Sequence, residues 1–395
     1  MLLFKLAVKN LLGAGKRTWL NITVLSISFV IMVFYNGMLD GWNREAMEDT
    51  KLWEIGGGEL WSRGYDPYDP YSFSESRSKI PHFVYSLAKD GEAAPVLITP
   101  GTLYPGGRVV NIIIKGIDLR QSFLALPTNE LKSFTYNNHD DFIPAIIGRR
   151  VSQSLKLKEG DRVLLRWRDA NGTFDAAEVK VVSIFNSNVP SVDVGQIWIP
   201  IEKLWEMSSS HGEASYIVLK DPLLNTPQED EWSYKNSDFL LEEIKVIIKT
   251  KRASSNIISF ILLSIALLAL FDTQVLSVFR RQKEIGTYIA LGMTRKSVVT
   301  LFTLEGAVHS IFALLFAAIW GYPLLLWFSV NGIPMPSAAD QAGIAISEKI
   351  TPYYGLTLIF LSIAIVLISS LIVSFLPSRK IAGMNPTQAL KGKLI

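Results

Sequence analysis

Among the residues whose types and spacing could do chemistry, Gly13-Ala14-Gly15-Lys16 comes first, because a glycine-rich turn ending in lysine can cradle nucleotide phosphates. That motif requires glycine five positions before Gly15 and Ser or Thr after the lysine, where this chain has Asn10 and Arg17. The stretch is read instead as a basic amphipathic helix at a membrane surface, with Lys5, Lys9 and Lys16 toward anionic headgroups and Leu2, Phe4, Leu6 and Leu11 in the interface. Glu305 and His309 lie four apart, on one face of a helix, and could hydrogen-bond to each other. Such a pair could relay protons, but no second carboxylate is placed beside it, so an interhelical polar contact is favoured. Asp272 is given no catalytic role. Asp140, Asp141 and Asp161 lack the spacing of a hydrolase pair, and no serine sits in a G-x-S-x-G elbow. The four histidines, at 82, 139, 211 and 309, share no ligand spacing, and the absence of cysteine removes thiolate metal sites, disulfides and cysteine nucleophiles. The chain is therefore read as a non-enzyme with no metal and no cofactor of its own. Trp53, Trp61, Trp167, Trp198, Trp205 and Trp232 could line an apolar groove for a lipid or peptide, with buried core the favoured role for most.

The elements that position these residues follow from hydropathy and charge. Of 395 residues, 49% are hydrophobic and 19% charged, against about 25% charged in ordinary soluble domains, and the mean hydropathy is +0.26. Four stretches, 19–39, 256–278, 298–329 and 353–376, are long and apolar enough to cross a hydrocarbon core, which takes about 20 helical residues. The third carries Glu305, His309 and Pro323, which blur its ends. The flanking segments 1–18, 279–297 and 377–395 hold thirteen Lys and Arg and one acid, so all three are assigned to the cytoplasm. Both termini are then inside, and residues 40–255 and the loop 330–352, with Asp340 and Glu348 against Lys349, are outside. The first span is read as an uncleaved anchor, since Tyr35 to Asp40 offers no small-x-small cleavage site. The net charge of +3 does not point to a nucleic-acid partner.

Residues 40–255 read as a folded mixed α/β domain of two lobes with a seam near 135–145. Val109–Ile114, Arg162–Trp167 and Val179–Ile184 suit strands, Val151–Leu157 has helical spacing, Lys158-Glu159-Gly160-Asp161 is a turn, and 62–81 is an irregular connection. The fold class is thus an α-helical membrane protein with four transmembrane helices and a large mixed α/β extracytoplasmic domain between helices 1 and 2.

Between the second and third spans runs Arg280-Arg281-Gln282-Lys283-Glu284-Ile285-Gly286-Thr287-Tyr288-Ile289-Ala290-Leu291-Gly292-Met293-Thr294-Arg295-Lys296. It reads as a short amphipathic helix with small residues at Gly286 and Ala290, stopped by Gly292, and suited to docking in a partner's groove. This segment resembles the E-I-G-x-x-x-A-x-G signature of the MacB, LolC/LolE and FtsX-like permeases, the mechanotransmitting class of ABC transporters. Leu6 to Thr18 resembles that family's basic N-terminal helix, and Pro377 to Ala382 and Asn385 to Leu390 resemble its ending. Gly57 to Trp61 with Gly64-Tyr65, Ile114-Lys115-Gly116-Ile117-Asp118, and Ile147-Gly148 through Gly160-Asp161 resemble the lipoprotein-releasing LolC/LolE branch. Leu119 and Arg149-Arg150 depart from that branch and leave the substrate open.

The resemblance implies a bacterial inner-membrane permease subunit that couples ATP hydrolysis by a separate cytoplasmic ATPase dimer, which would hold the ATP and Mg, to extraction of lipoproteins from the inner membrane. It implies a second permease subunit, the same or homologous, and a periplasmic carrier for the cargo. It assigns Glu284, Ile285, Gly286, Ala290, Leu291 and Gly292 to ATPase docking, with Arg281 and Lys283 as electrostatic contacts. The alternatives are a MacB-type efflux permease for drugs or peptides and an FtsX-like module that controls a cell-wall hydrolase.

Overall fold

The computed structural model describes residue 7 and residues 16–137, 142–223, 230–334 and 349–383. The rest of the basic N-terminal stretch, His139 to Asp141, the loop residues Asp340 and Glu348, and the motif from Asn385 to Leu390 with Lys391 and Lys393 lie outside them. In chain order the helices are α1 (Lys16–Thr50), α2 (His82–Lys89), α3 (Thr128–Asn137), α4 (Arg149–Leu155), α5 (Pro190–Asp193), α6 (Ile201–Ser208), α7 (Ser237–Leu240), α8 (Glu242–Arg280), α9 (Gln282–Ala290), α10 (Arg295–Asn331) and α11 (Leu356–Ser378). The chain divides into two compact units, one of Met1–Asn43, Ile247–Pro334 and Lys349–Ile395, the other of Arg44–Val246 and Met335–Glu348.

The first unit is helical. Four helical stretches, Thr18–Ile55, Glu242–Arg280, Arg295–Asn331 and Leu356–Ile381, are long and apolar enough to cross a membrane. Two of them outrun the apolar stretches that announce them: α1 continues eleven residues past 39 and α8 begins fourteen before 256. Hydropathy marks where lipid contact stops, whereas backbone hydrogen bonds decide where a helix stops, and pairs such as Arg44 with Glu48, 3.0 Å apart at i,i+4, support a polar extension. α10 stays one helix through Pro323. Asn21 Nδ2 donates to Thr273 Oγ1 at 2.6 Å, Asn36 Nδ2 to Ser259 Oγ at 3.2 Å, and Ser255 Oγ to Asn36 Oδ1 at 3.2 Å, tying α1 to α8. Trp320 Nε1 donates to Ser26 Oγ at 2.7 Å, and Ser370 Oγ to Ser310 Oγ at 2.7 Å. Around these bonds Ile22, Leu25, Met32, Leu263, Ala266, Ala313 and Val366 form a buried cluster drawn from all four long helices. Interhelical polar bonds fix register where apolar side chains alone would allow sliding.

The second unit is built on a mixed sheet. Its strands are β1 (Gly58–Ser62), β2 (Ser78–Lys79), β3 (Ala93–Leu103), β4 (Val110–Ile117), β5 (Ile143–Gly148), β6 (Arg162–Arg168), β7 (Phe174–Phe185), β8 (Gln196–Pro200), β9 (Glu213–Ala214), β10 (Tyr216–Leu219) and β11 (Trp232–Asn236). Nine of them pair in the order β11-β1-β10-β3-β4-β8-β5-β7-β6, and β6 pairs again with β3. That last pairing, Gly101–Leu103 against Leu165–Trp167, closes six strands into a barrel and leaves β10, β1 and β11 as an extension from β3. One face of all six barrel strands meets in a single cluster that includes Leu97, Ile114, Ile147, Leu165, Val181 and Ile197. β6 shows the cause most plainly, since Val163, Leu165 and Trp167 are buried while Arg162, Leu164, Arg166 and Arg168 are exposed.

The strands at 110–117, 162–168 and 174–185 and the helix at 149–155 agree with the sequence reading to within a few residues, apart from the earlier start of β7. The seam near 135–145 does not separate two lobes. β5 begins at Ile143 inside the barrel, and the two lobes share β3, so no single point in the chain lies between them. The stretch 62–81 is mostly irregular but holds a short 3-10 helix, Pro70–Ser74, whose N-cap Asp69 accepts from the Tyr71 amide.

Candidate functional site

The segment between α8 and α10 is a helix set between two backbone breaks. Arg281 leaves the helical region at φ −101°, ψ 20°, which ends α8 and begins α9. At the other end Gly292 has φ +95°, a conformation that side-chain-bearing residues rarely adopt, and its amide donates to the Ile289 carbonyl at 3.1 Å. Thr294 then caps α10, its Oγ1 accepting from the Ser297 amide at 3.2 Å.

The assigned docking residues divide by face. Ile285 is fully buried in a cluster with Val278, Val298, Phe302 and Ile381, and Gly286 beside it is buried too. Lys283, Glu284, Ala290, Leu291 and Gly292 are exposed, Leu291 at 79%. The buried pair holds α9 against its own chain, and the exposed set is the surface on offer. Arg281 faces inward: its Nε donates to Glu284 Oε2 at 2.6 Å, and its Nη1 to both Glu305 oxygens at 2.8 and 2.9 Å. The guanidinium carbon also lies 4.8 Å from the centre of the Phe302 ring.

Glu305 and His309 do not form the side-chain pair that their spacing allows. His309 Nδ1 donates to the Glu305 backbone carbonyl at 2.8 Å, while the carboxylate turns to Arg281. His309 Nε2, Gln274 Oε1 and Ser374 Oγ are buried with no hydrogen-bond partner among the described residues. Gly306 explains how α11 comes so close, because a Cβ there would collide with Ser374 Oγ and Cβ and lie 3.4 Å from Gln274 Nε2. Gly306→Ala is expected to lower the thermal unfolding midpoint of the solubilised protein, at a cost of about 1–3 kcal/mol from overpacking, with Ser374→Gly restoring part of it.

In the sheet unit the tryptophans serve the core. Trp167, Trp198 and Trp232 are buried, and their indole N–H groups donate to the carbonyls of Met207, Val192 and Lys79 at 2.7, 3.1 and 3.0 Å. Trp205 Nε1 donates to the Glu213 carbonyl at 2.8 Å, and Trp53 stacks on Phe185 at 5.6 Å. Asp161 closes the turn before β6 by accepting from the Lys158 amide at 2.8 Å.

Two buried groupings of ionisable residues escaped the sequence reading. Glu59, on β1, accepts from Trp61 Nε1 at 2.5 Å, and burial pushes its pKa up to about 8. Burial likewise lowers the pKa of Lys115, whose Nζ lies 4.9 Å from the Trp198 ring centre and donates to the Ser191 carbonyl at 3.3 Å. Ser191 Oγ in turn donates to Glu54 Oε2 at 2.5 Å. In the other grouping Asp193 receives the amide of Arg150 on Oδ1 and its Nη1 on Oδ2, each at 3.1 Å. The available signal was a charged residue inside an otherwise apolar strand, Glu59 in Gly-Glu-Leu-Trp and Lys115 in a run of isoleucines.

Two solved structures are similar to parts of this chain. The periplasmic region of MacB from Actinobacillus actinomycetemcomitans shares 12% identity with a TM-score of 0.33, over 51% of this chain and 98% of that one. The extracellular domain of the noncanonic ABC-type transporter YknZ from Gram-positive bacteria shares 14% identity with a TM-score of 0.27, over 42% of this chain and 84% of that one. Among curated proteins none matches this chain in sequence. The α8–α11 region, with α9 inside it, is similar to a known family: residues 256–386 match the FtsX-like permease C-terminal model.

Proposed function

We propose that the chain is the permease subunit of a mechanotransmitting ABC transporter in a bacterial inner membrane, working with a separate cytoplasmic ATPase dimer and a second permease subunit. Both termini and α9 face the cytoplasm, and the sheet unit faces the periplasm, in accord with the thirteen basic residues and one acid of the flanking segments. ATP and Mg belong to the partner, and this chain does no ATP chemistry. The observation that carries the reading is α9 itself, fastened inward by Ile285 and presenting Glu284, Ala290 and Leu291 outward within the matched family region. The nucleotide-driven change in the ATPase moves α9, and the continuous helices α1 and α8 pass that movement on. The cargo proposed is a lipoprotein drawn from the membrane and handed to a periplasmic carrier.

Leu291→Arg is expected to weaken ATPase association about 30-fold, the effect of losing one hot-spot contact, as read by co-purification and titration. Undiminished association would defeat the docking role. Mass spectrometry of the purified complex tests the cargo: bound lipoprotein supports lipoprotein release, whereas a bound drug or peptide, or a hydrolase activator with no cargo, would replace it with efflux or signalling.

A further inference from the structure

α9 is joined to its neighbours through two backbone breaks, at Arg281 and Gly292, so the backbone alone does not hold its angle to α10. The cluster of Val278, Ile285, Val298, Phe302 and Ile381 keeps α9 from leaving α10. Apolar packing is non-directional, however, and tolerates rotation of one helix on another. A guanidinium engaged on two sides does not, because its planar donors have fixed directions. Arg281 supplies such a fork, with Nε on Glu284 of α9 and Nη1 on both oxygens of Glu305 of α10. Its two arms differ in setting: the Glu305 side chain is 6% exposed and the Glu284 side chain 55%. Ion pairs removed from water are screened far less than exposed ones, so the Glu305 arm is the firm one and the Glu284 arm the yielding one.

We propose that Arg281 is a positioning residue, the clamp that sets the angle between the coupling helix α9 and the membrane helix α10, so that a push on α9 moves α10 with it. The proposal rests on the permease reading for its purpose, but the clamp itself can be tested without the ATPase. The chain has no cysteine, so Thr287→Cys and Thr300→Cys, exposed on α9 and α10, can be spin-labelled selectively in the full-length protein in lipid nanodiscs. With the clamp intact the distance distribution between the labels is expected to be narrow. Arg281→Gln and Glu305→Gln are each expected to broaden it about twofold, and the double variant no further, because both break the buried Glu305 arm, and the exposed Glu284 arm that Arg281→Gln also removes adds little constraint. Arg281→Lys, which keeps the charge but not the fork, should fall between wild type and Arg281→Gln. In the reconstituted complex Glu305→Gln should keep ATPase association but lower permease-dependent stimulation of ATP hydrolysis about tenfold, a typical coupling energy. An unchanged distribution in either single variant overturns the clamp, as does broadening that adds in the double variant. Failure of the permease reading is a separate result, in which wild-type protein binds no ATPase while the label distances still respond to Arg281.

Discussion

Asp193→Ala is expected to speed hydrogen exchange in β5 and α4 about 100-fold, a local loss of about 3 kcal/mol. α4 begins at Gly148, an N-cap without a side chain to receive the first amides of the helix. Asp193, brought in from α5, delivers the missing carboxylate, accepting the Arg150 amide on Oδ1 and the Arg150 guanidinium on Oδ2. Gly148 is what makes room, since a Cβ there would overlap the Asp193 carboxyl group. Burial pushes the Asp193 pKa up to about 6, with the Arg150 amide and charge opposing that rise, so the group is mostly ionised at neutral pH. Alanine removes the cap and takes its carboxylate from the Arg150 guanidinium, which also donates to the Ser187 carbonyl at 2.8 Å. Asn, which still offers one acceptor, should cost less than Ala. Equal exchange rates in wild type and the Ala variant would show that Asp193 does not hold α4.

Glu59→Gln is expected to stabilise the sheet unit increasingly as pH rises, by about 4 kcal/mol between pH 4.5 and 8. The folded-state pKa of about 8 lies above the ordinary 4.5, so between those values the folded chain keeps a proton that the unfolded chain has released. Wild-type stability from this group is therefore greatest below pH 4.5 and is lost as pH rises toward 8. Gln keeps an acceptor for the Trp61 indole and never ionises, so the variant escapes that loss. Lys115, lowered by burial, adds a slope of opposite sign in both proteins, larger in the variant because the Glu59 charge that opposes the lowering is gone. Denaturant midpoints for the two proteins at pH 5, 6.5 and 8 provide the measurement, and parallel curves would exclude a buried, protonated Glu59.

Elements whose cause is local were legible in the sequence, and those made by distant residues were not. Arg162–Arg168 alternates outward arginines with buried Val163, Leu165 and Trp167, a two-residue period readable without any partner strand. The apolar cores of the four long helices were equally plain, although their polar extensions were not, because charge ends a hydropathy signal without ending a helix. α9 was legible as an amphipathic segment bounded by Gly292. Its inner and outer faces were not, since the burial of Ile285 depends on Val298, Phe302 and Ile381 returning from other helices. The same limit hid the fork at Arg281: Glu305 stands 24 residues away and meets it only because the chain reverses at Gly292. At i,i+4, His309 seemed the nearer partner for Glu305, but a helix already places the residue 305 carbonyl within its reach. The shared strand β3 hid the boundary between the two lobes, because a strand that serves both leaves no break in composition.

The pairing of β1 with β11 sets how the sheet unit carries load. Gly58, where the chain enters β1 after α1, lies opposite Asn236, where it leaves β11 for α7 and α8. The two strands are antiparallel in register from Gly58–Asn236 to Ser62–Trp232, and β10 flanks β1 on its other edge. Tension drawn along β1 runs across the inter-strand hydrogen bonds, which stand perpendicular to the strands, and so shears them together instead of peeling them one at a time. A pull along β1 is resisted by both of its ladders at once, whereas a force that parts the two leads, which sit side by side at the same end, loads the Gly58–Asn236 pair first.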